Sequence, residues 1–122
     1  DTVAGRRQEA MQLALVVEEM SSDPALEGED DLVVAGDFNL SPLDSSFDHF
    51  RAKGWQSMNP GEGSTIRESP YDTLWMSPSV QEYEGLWFMD RFDETVFSGD
   101  DEAASRSVSD HRPLWGSFDV KR

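Results

Sequence analysis

Two short segments of this 122-residue chain carry the side chains best suited to chemistry: Gly36-Asp37-Phe38-Asn39 and Ser109-Asp110-His111. The first follows the apolar run Leu32-Val33-Val34-Ala35. The second precedes an alternating run over residues 113–120. Each therefore falls at the end of an expected strand. A carboxylate at Asp37 can orient or deprotonate a water, and the amide of Asn39 can hold a phosphate oxygen or the attacking water. The imidazole of His111 can protonate a phosphate oxygen or bind it as imidazolium, and Asp110 can take a hard cation. Converging on one cleft, these groups suit metal-assisted attack on a phosphate ester. Plainer readings compete. Asp37 and Asn39 would also serve a turn by bonding nearby backbone, and Asp110 could cap a loop beside a core histidine.

A third segment, Tyr71-Asp72-Thr73-Leu74-Trp75-Met76, places Asp72 in a strand of bulky residues. A buried carboxylate needs a partner. Pairing with His111 would keep the imidazole protonated and oriented. Arg67 or loop backbone is the alternative. His49 reads as a surface residue. Trp55, Trp75, Trp87, Phe88, Phe92 and Trp115 read as core.

The elements that must position these groups follow from periodicity. Residues 4–20 read as an amphipathic helix with Ala10, Leu13, Ala14, Val17 and Met20 on one face, stopped by Ser21-Ser22-Asp23-Pro24. The acidic residues 27–31 read as a loop. The continuous run at 32–35 suits a strand buried on both faces. Pro42 and Asp44 suit the start of a second helix, with Leu43, Phe47 and Phe50 on one face and Gly54 as its stop. Residues 59–64 are rich in turn formers. Residues 74–76 and 85–89 suit strands, residues 99–107 read as polar and mobile, and residues 113–120 as a closing strand. Helices interleaved with strands predict a layered α/β domain, a single one over residues 1–122. The two helices expected are too few to cover both faces of a sheet.

The absence of cysteine excludes disulfides, thiolate metal sites and a cysteine nucleophile. No membrane span or signal peptide is visible, and the compartment stays open. The net charge of -15 reads as a strongly hydrated surface. It opposes tight, nonspecific coating of DNA but does not oppose a nuclease, because salt and bound cations screen it.

The three motifs, with Arg112-Pro113 after the last, stand in the order found in the endonuclease/exonuclease/phosphatase superfamily, which the chain resembles from its first helix to Phe118. The nearest likeness is to deoxyribonuclease-I-like bacterial members. The stretch Asp90-Arg91-Phe92-Asp93-Glu94 is similar as well. The resemblance implies a four-layer α/β-β/α sandwich of the deoxyribonuclease-I-like type and Mg²⁺- or Mn²⁺-dependent hydrolysis of nucleic acid or another phosphodiester. It implies that Asp37 activates the attacking water, that Asn39 and His111 contact the phosphate, that Asp72 holds His111, and that Asp110 contributes to the metal site. Members also carry an N-terminal half that supplies a metal-binding Glu, an Asn, a His and a Tyr, none of which has a match here. The chain is therefore expected to be the C-terminal half of that fold, partnered by the N-terminal half or a second chain. Alone, it is expected to expose an apolar sheet face. A phosphatase-like member, acting on phosphoinositides, sphingomyelin or nucleotides, shares the same motifs. A noncatalytic half-domain is the third reading.

Overall fold

Thr2 starts the first helix. Its hydroxyl accepts the Gly5 N–H at 3.1 Å, filling one of the donors that a helix start leaves open. The computed structural model describes residues 2–120, and helix α1 spans Val3–Ser21. Ala10, Ala14 and Val17 recur on its inner face and join one core with Leu40, Phe47, Phe50 and Trp75. Met20, expected on that face, is exposed. Glu18 and Ser21 take the side turned toward the next helix instead.

Strand β1 (Val33–Asp37), the two-residue β2 (Gln56–Ser57) and β3 (Asp72–Met76) form an antiparallel sheet in the order β1-β3-β2. Side chains alternate across a strand, so Val34 and its register partner Trp75 share the face turned to α1. Val33 lies on the other face and is 46% exposed. The expectation that this run is buried on both faces is therefore corrected: among the described residues, helices cover the side of the sheet that carries Val34 and Trp75 and leave Val33 exposed.

Between β1 and β2, Asp44 replaces an expected helix start with a tighter turn. Its carboxylate accepts the Ser46 N–H at 3.0 Å and closes a 3-10 turn at Ser45–Phe47, from which α2 (Asp48–Ala52) continues. Leu43 is left outside the helix and 69% exposed. Phe47 and Phe50 go inward, with ring centroids 5.3 and 5.4 Å from that of Trp75. Arg7 of α1 grips Asp44 through Nε and Nη2 at 3.0 and 2.9 Å, tying helix to turn. The grip and the capping bonds lower the Asp44 pKa to about 2.

Strands β4 (Tyr83–Met89) and β5 (Leu114–Phe118) make a second antiparallel sheet. Met58, just past β2, lies over Gly116 of β5 in the space a side chain there would need. That contact brings the two sheets together. Phe88 and Trp115, expected in the core, are 50% and 56% exposed on the second sheet, where no described element covers them. Trp75 and Phe92 are buried as expected, and Trp55 and Trp87 are half-buried.

Residues 92–107 hold two short helices, α3 (Phe92–Thr95) and α4 (Asp101–Ser107). The second corrects the expectation of a mobile polar stretch. Asp100 caps it by accepting the Ala103 N–H at 3.0 Å, and Ala104 is fully buried against Ile66 and Phe92. Arg112 is buried beside these helices with 3% exposure. Its Nε and Nη2 donate to Asp93 at 2.9 and 2.6 Å, and its Nη1 to Gly63 O and Glu68 at 3.1 and 2.7 Å. The molecule is thus a small mixed α/β domain with two antiparallel sheets and flanking helices. Among the described residues no helix is long and apolar enough to cross a membrane.

Candidate functional site

Asp37 closes β1 and Asp72 opens β3, and the two are register partners. Backbone pairing alone therefore sets both carboxylates on one face at one end of the sheet. His111 arrives from the segment before β5. The loop after Gly63 holds that segment: Ile66 N–H donates to Asp110 O at 2.9 Å, and Arg112 N–H to Ser64 O at 2.7 Å. Thr65 and His111 pair as an isolated bridge between them.

The imidazole then lies between the carboxylates. Nδ1 is 2.8 Å from Asp72 Oδ2, and Nε2 is 3.8 Å from Asp37 Oδ2. Of the partners open to Asp72 in the sequence, His111 takes the carboxylate and Arg67 does not. Ser64 Oγ donates to the same Asp72 oxygen at 2.6 Å while accepting the Tyr71 and Asp72 N–H groups at 3.0 and 2.9 Å. The fully buried Asn59 donates to the Asp72 carbonyl at 3.1 Å. Asp72 is therefore fixed by side-chain and main-chain bonds before any ligand arrives.

Asn39 bends back over Asp37. Its backbone is left-handed (φ 49°), its N–H donates to Asp37 Oδ1 at 2.8 Å, and its Nδ2 to Oδ2 at 3.3 Å. The local turn that competed with the catalytic reading is thus present. It leaves Asp37 Oδ2 as the oxygen nearest His111 Nε2.

The surroundings raise the His111 pKa. The hydrogen bond to Asp72 is the main cause, partial burial opposes it, and attraction to Asp72, Asp37 and Asp110 adds to it. The ring is about one-third exposed, so both a proton and a ligand can reach Nε2. An open cleft is lined by Gly36, Asp37, Asp72, Ser109 and His111. A second, polar cleft lined by Asn39, Thr65, Arg67, Ser69, Tyr71 and Asp110 also borders His111.

One ligand atom from each of Asp37, Asp72 and His111 falls within 4.8 Å of the others. Hard oxygen donors of this kind suit Mg²⁺ or Mn²⁺. A protonated His111 donates no lone pair, so the two carboxylates are the ligands compatible with the imidazolium form. Asp110 stands outside this group and lines the neighbouring polar cleft. His49 lies away from the site, its Nε2 3.6 Å from Glu18.

Comparison of the chain with protein-family models, with curated proteins and with solved structures gives no match.

Sequence reasoning missed Ser64, Asn59 and the buried Arg112–Asp93 pair. Ser64 and Asn59 lie in a loop without periodicity, where the only signal was a density of turn-forming residues. Arg112 and Asp93 were noticed as parts of motifs, but nothing in the sequence marked them as partners.

Proposed function

We propose that this chain carries part of a divalent-metal-dependent phosphodiesterase site, acting most readily as a deoxyribonuclease-I-like endonuclease or exonuclease. The observation that carries the reading is the convergence of Asp72, His111 and Asp37 at one sheet end, with Asn39 folded over Asp37. Asp37 takes the proton of the attacking water. The water oxygen bonds to phosphorus in line as the opposite P–O ester bond breaks, and the leaving oxygen takes its proton from solvent. Asn39 contributes an amide to a phosphate oxygen. His111, held protonated by Asp72, presents Nε2–H to the charge that develops on phosphorus-bound oxygen. Asp72 acts as the positioning residue for the ring. Mg²⁺ or Mn²⁺, held by the site carboxylates with Asp110 flanking them, would supply neutralisation of phosphate charge.

The finer fold reading is the C-terminal half of a four-layer α/β-β/α sandwich. Helices over one face of the first sheet, the Met58–Gly116 contact between sheets, and exposed apolar residues on both sheets support it. Those same exposed residues favour one second reading, a noncatalytic half-domain that pairs with the N-terminal half or another chain.

A direct comparison of bis(4-nitrophenyl) phosphate with 4-nitrophenyl phosphate in Mg²⁺ or Mn²⁺ tests the reaction class. The diester should be cleaved and the monoester spared. Cleavage of the monoester alone would move the assignment to a phosphatase, and cleavage of neither would favour the half-domain.

A further inference from the structure

We infer that Arg67 is an anion subsite for a second phosphate, next to the one that His111 holds. The inference rests on the phosphodiesterase reading and extends it to the substrate class: a ligand with two phosphates spaced along a chain. Arg67 is exposed and lines the polar cleft that begins at His111 and also includes Asn39, Thr65, Ser69 and Tyr71. It lines the next cleft as well, together with Ile66, Ser105, Arg106 and the acidic Asp101, Glu102 and Asp110, so the anion-binding part of the path ends at Arg67. The two clefts meet at Arg67 and Asp110. A polar path therefore runs from His111 to Arg67, and beyond Arg67 it turns acidic toward α4.

The charge pattern of the molecule sets Arg67 apart. Arg7, Arg51, Lys53, Arg91, Arg106 and Arg112 each lie within 4 Å of a carboxylate. No such carboxylate partner is found for Arg67 among the described residues. In a chain of net charge -15, a phosphate ligand meets repulsion nearly everywhere. A guanidinium with uncommitted donors in the cleft that also borders His111 is where a second phosphate gains most, because its planar fork can bond two phosphate oxygens at once. Asp110 shares the wall and opposes a free anion. The subsite therefore acts on a ligand already anchored at His111 rather than on loose phosphate.

Calorimetric titration of the chain with adenosine 5′-monophosphate and adenosine 3′,5′-bisphosphate tests this without requiring turnover. The parent should bind the bisphosphate about tenfold more tightly, equivalent to about 1.4 kcal/mol. Arg67→Ala should erase that preference and leave monophosphate binding unchanged, while Arg67→Lys should keep part of it. His111→Ala should weaken both ligands. A preference that survives Arg67→Ala overturns the subsite and leaves the phosphodiesterase reading standing. Binding of both ligands that is indifferent to His111→Ala, or no binding of either, overturns that reading and the subsite with it.

Discussion

At the scale of single residues, the Asp72–His111 contact sets the environment of the imidazole. The carboxylate raises the imidazole pKa, so replacing it should lower that pKa. In Asp72→Asn, the His111 ring should titrate at lower pH than in the parent when followed by proton NMR. An unchanged titration would show that the carboxylate does not hold the proton. The sign for stability follows from the same shift. With the native pKa raised above the ordinary value of about 6.5, the pair stabilises the fold fully below that pH. The contribution is lost as pH rises through the native pKa. Asp37, Asn39, Asp72 and His111 were legible in the sequence because each stands beside a glycine break or at the border of an apolar run. Ser64 was not, because its role depends on a loop that folds back onto the start of β3. Its hydroxyl meets Asp72 only there.

At the scale of elements, the site depends on the loop after Gly63 and on Arg112. Arg112→Met would leave Asp93, 1% exposed, as a buried carboxylate without its main partner. Breaking such a pair costs about 3–5 kcal/mol, a fall in Tm of about 12 °C or more for a domain of this size. Scanning calorimetry would show it, and the double variant Arg112→Met/Asp93→Leu should recover part of the loss. A Tm within about 3 °C of the parent, less than 1 kcal/mol by the same scaling, would contradict the structural role. Gly63→Ala tests the close approach of this loop. A Cβ there would sit 2.5 Å from Glu68 Cα and 2.8 Å from its carbonyl carbon. Backbone atoms yield poorly, so the expected cost is about 1–3 kcal/mol in a urea melt, and a neutral result would show that the loop can shift. Elements with apolar periodicity, such as α1 and β3, were readable in advance. Helix α4 was not, because its polar sequence buries essentially one side chain, Ala104, and a single alanine makes no periodic signal. The one-sided burial of β1 was hidden for a different reason. A run of consecutive apolar residues looks the same whether one face or two are covered.

At the scale of the whole molecule, covered and uncovered faces decide behaviour. Phe88 and Trp115 pair on the second sheet with ring centroids 5.4 Å apart, and both are at least half exposed. Leu86 and Val33 add exposed apolar surface on the two sheets. Surface of this kind favours association. Sedimentation velocity should show self-association that weakens in Phe88→Lys/Trp115→Lys, whereas a monodisperse parent at all concentrations would contradict this. The layered α/β class was readable from the alternation of helix and strand patterns. The strand order was not, because β2 is two residues long and leaves no pattern. The central claim remains the shared site of Asp37, Asp72 and His111, and nicking of supercoiled plasmid tests it most directly. The account predicts nicking in Mg²⁺ or Mn²⁺ by the chain complemented with the N-terminal half of the proposed sandwich, stopped by EDTA and reduced about 100-fold or more in His111→Ala. No nicking by that complemented protein with either metal, or nicking that His111→Ala leaves intact, would contradict it.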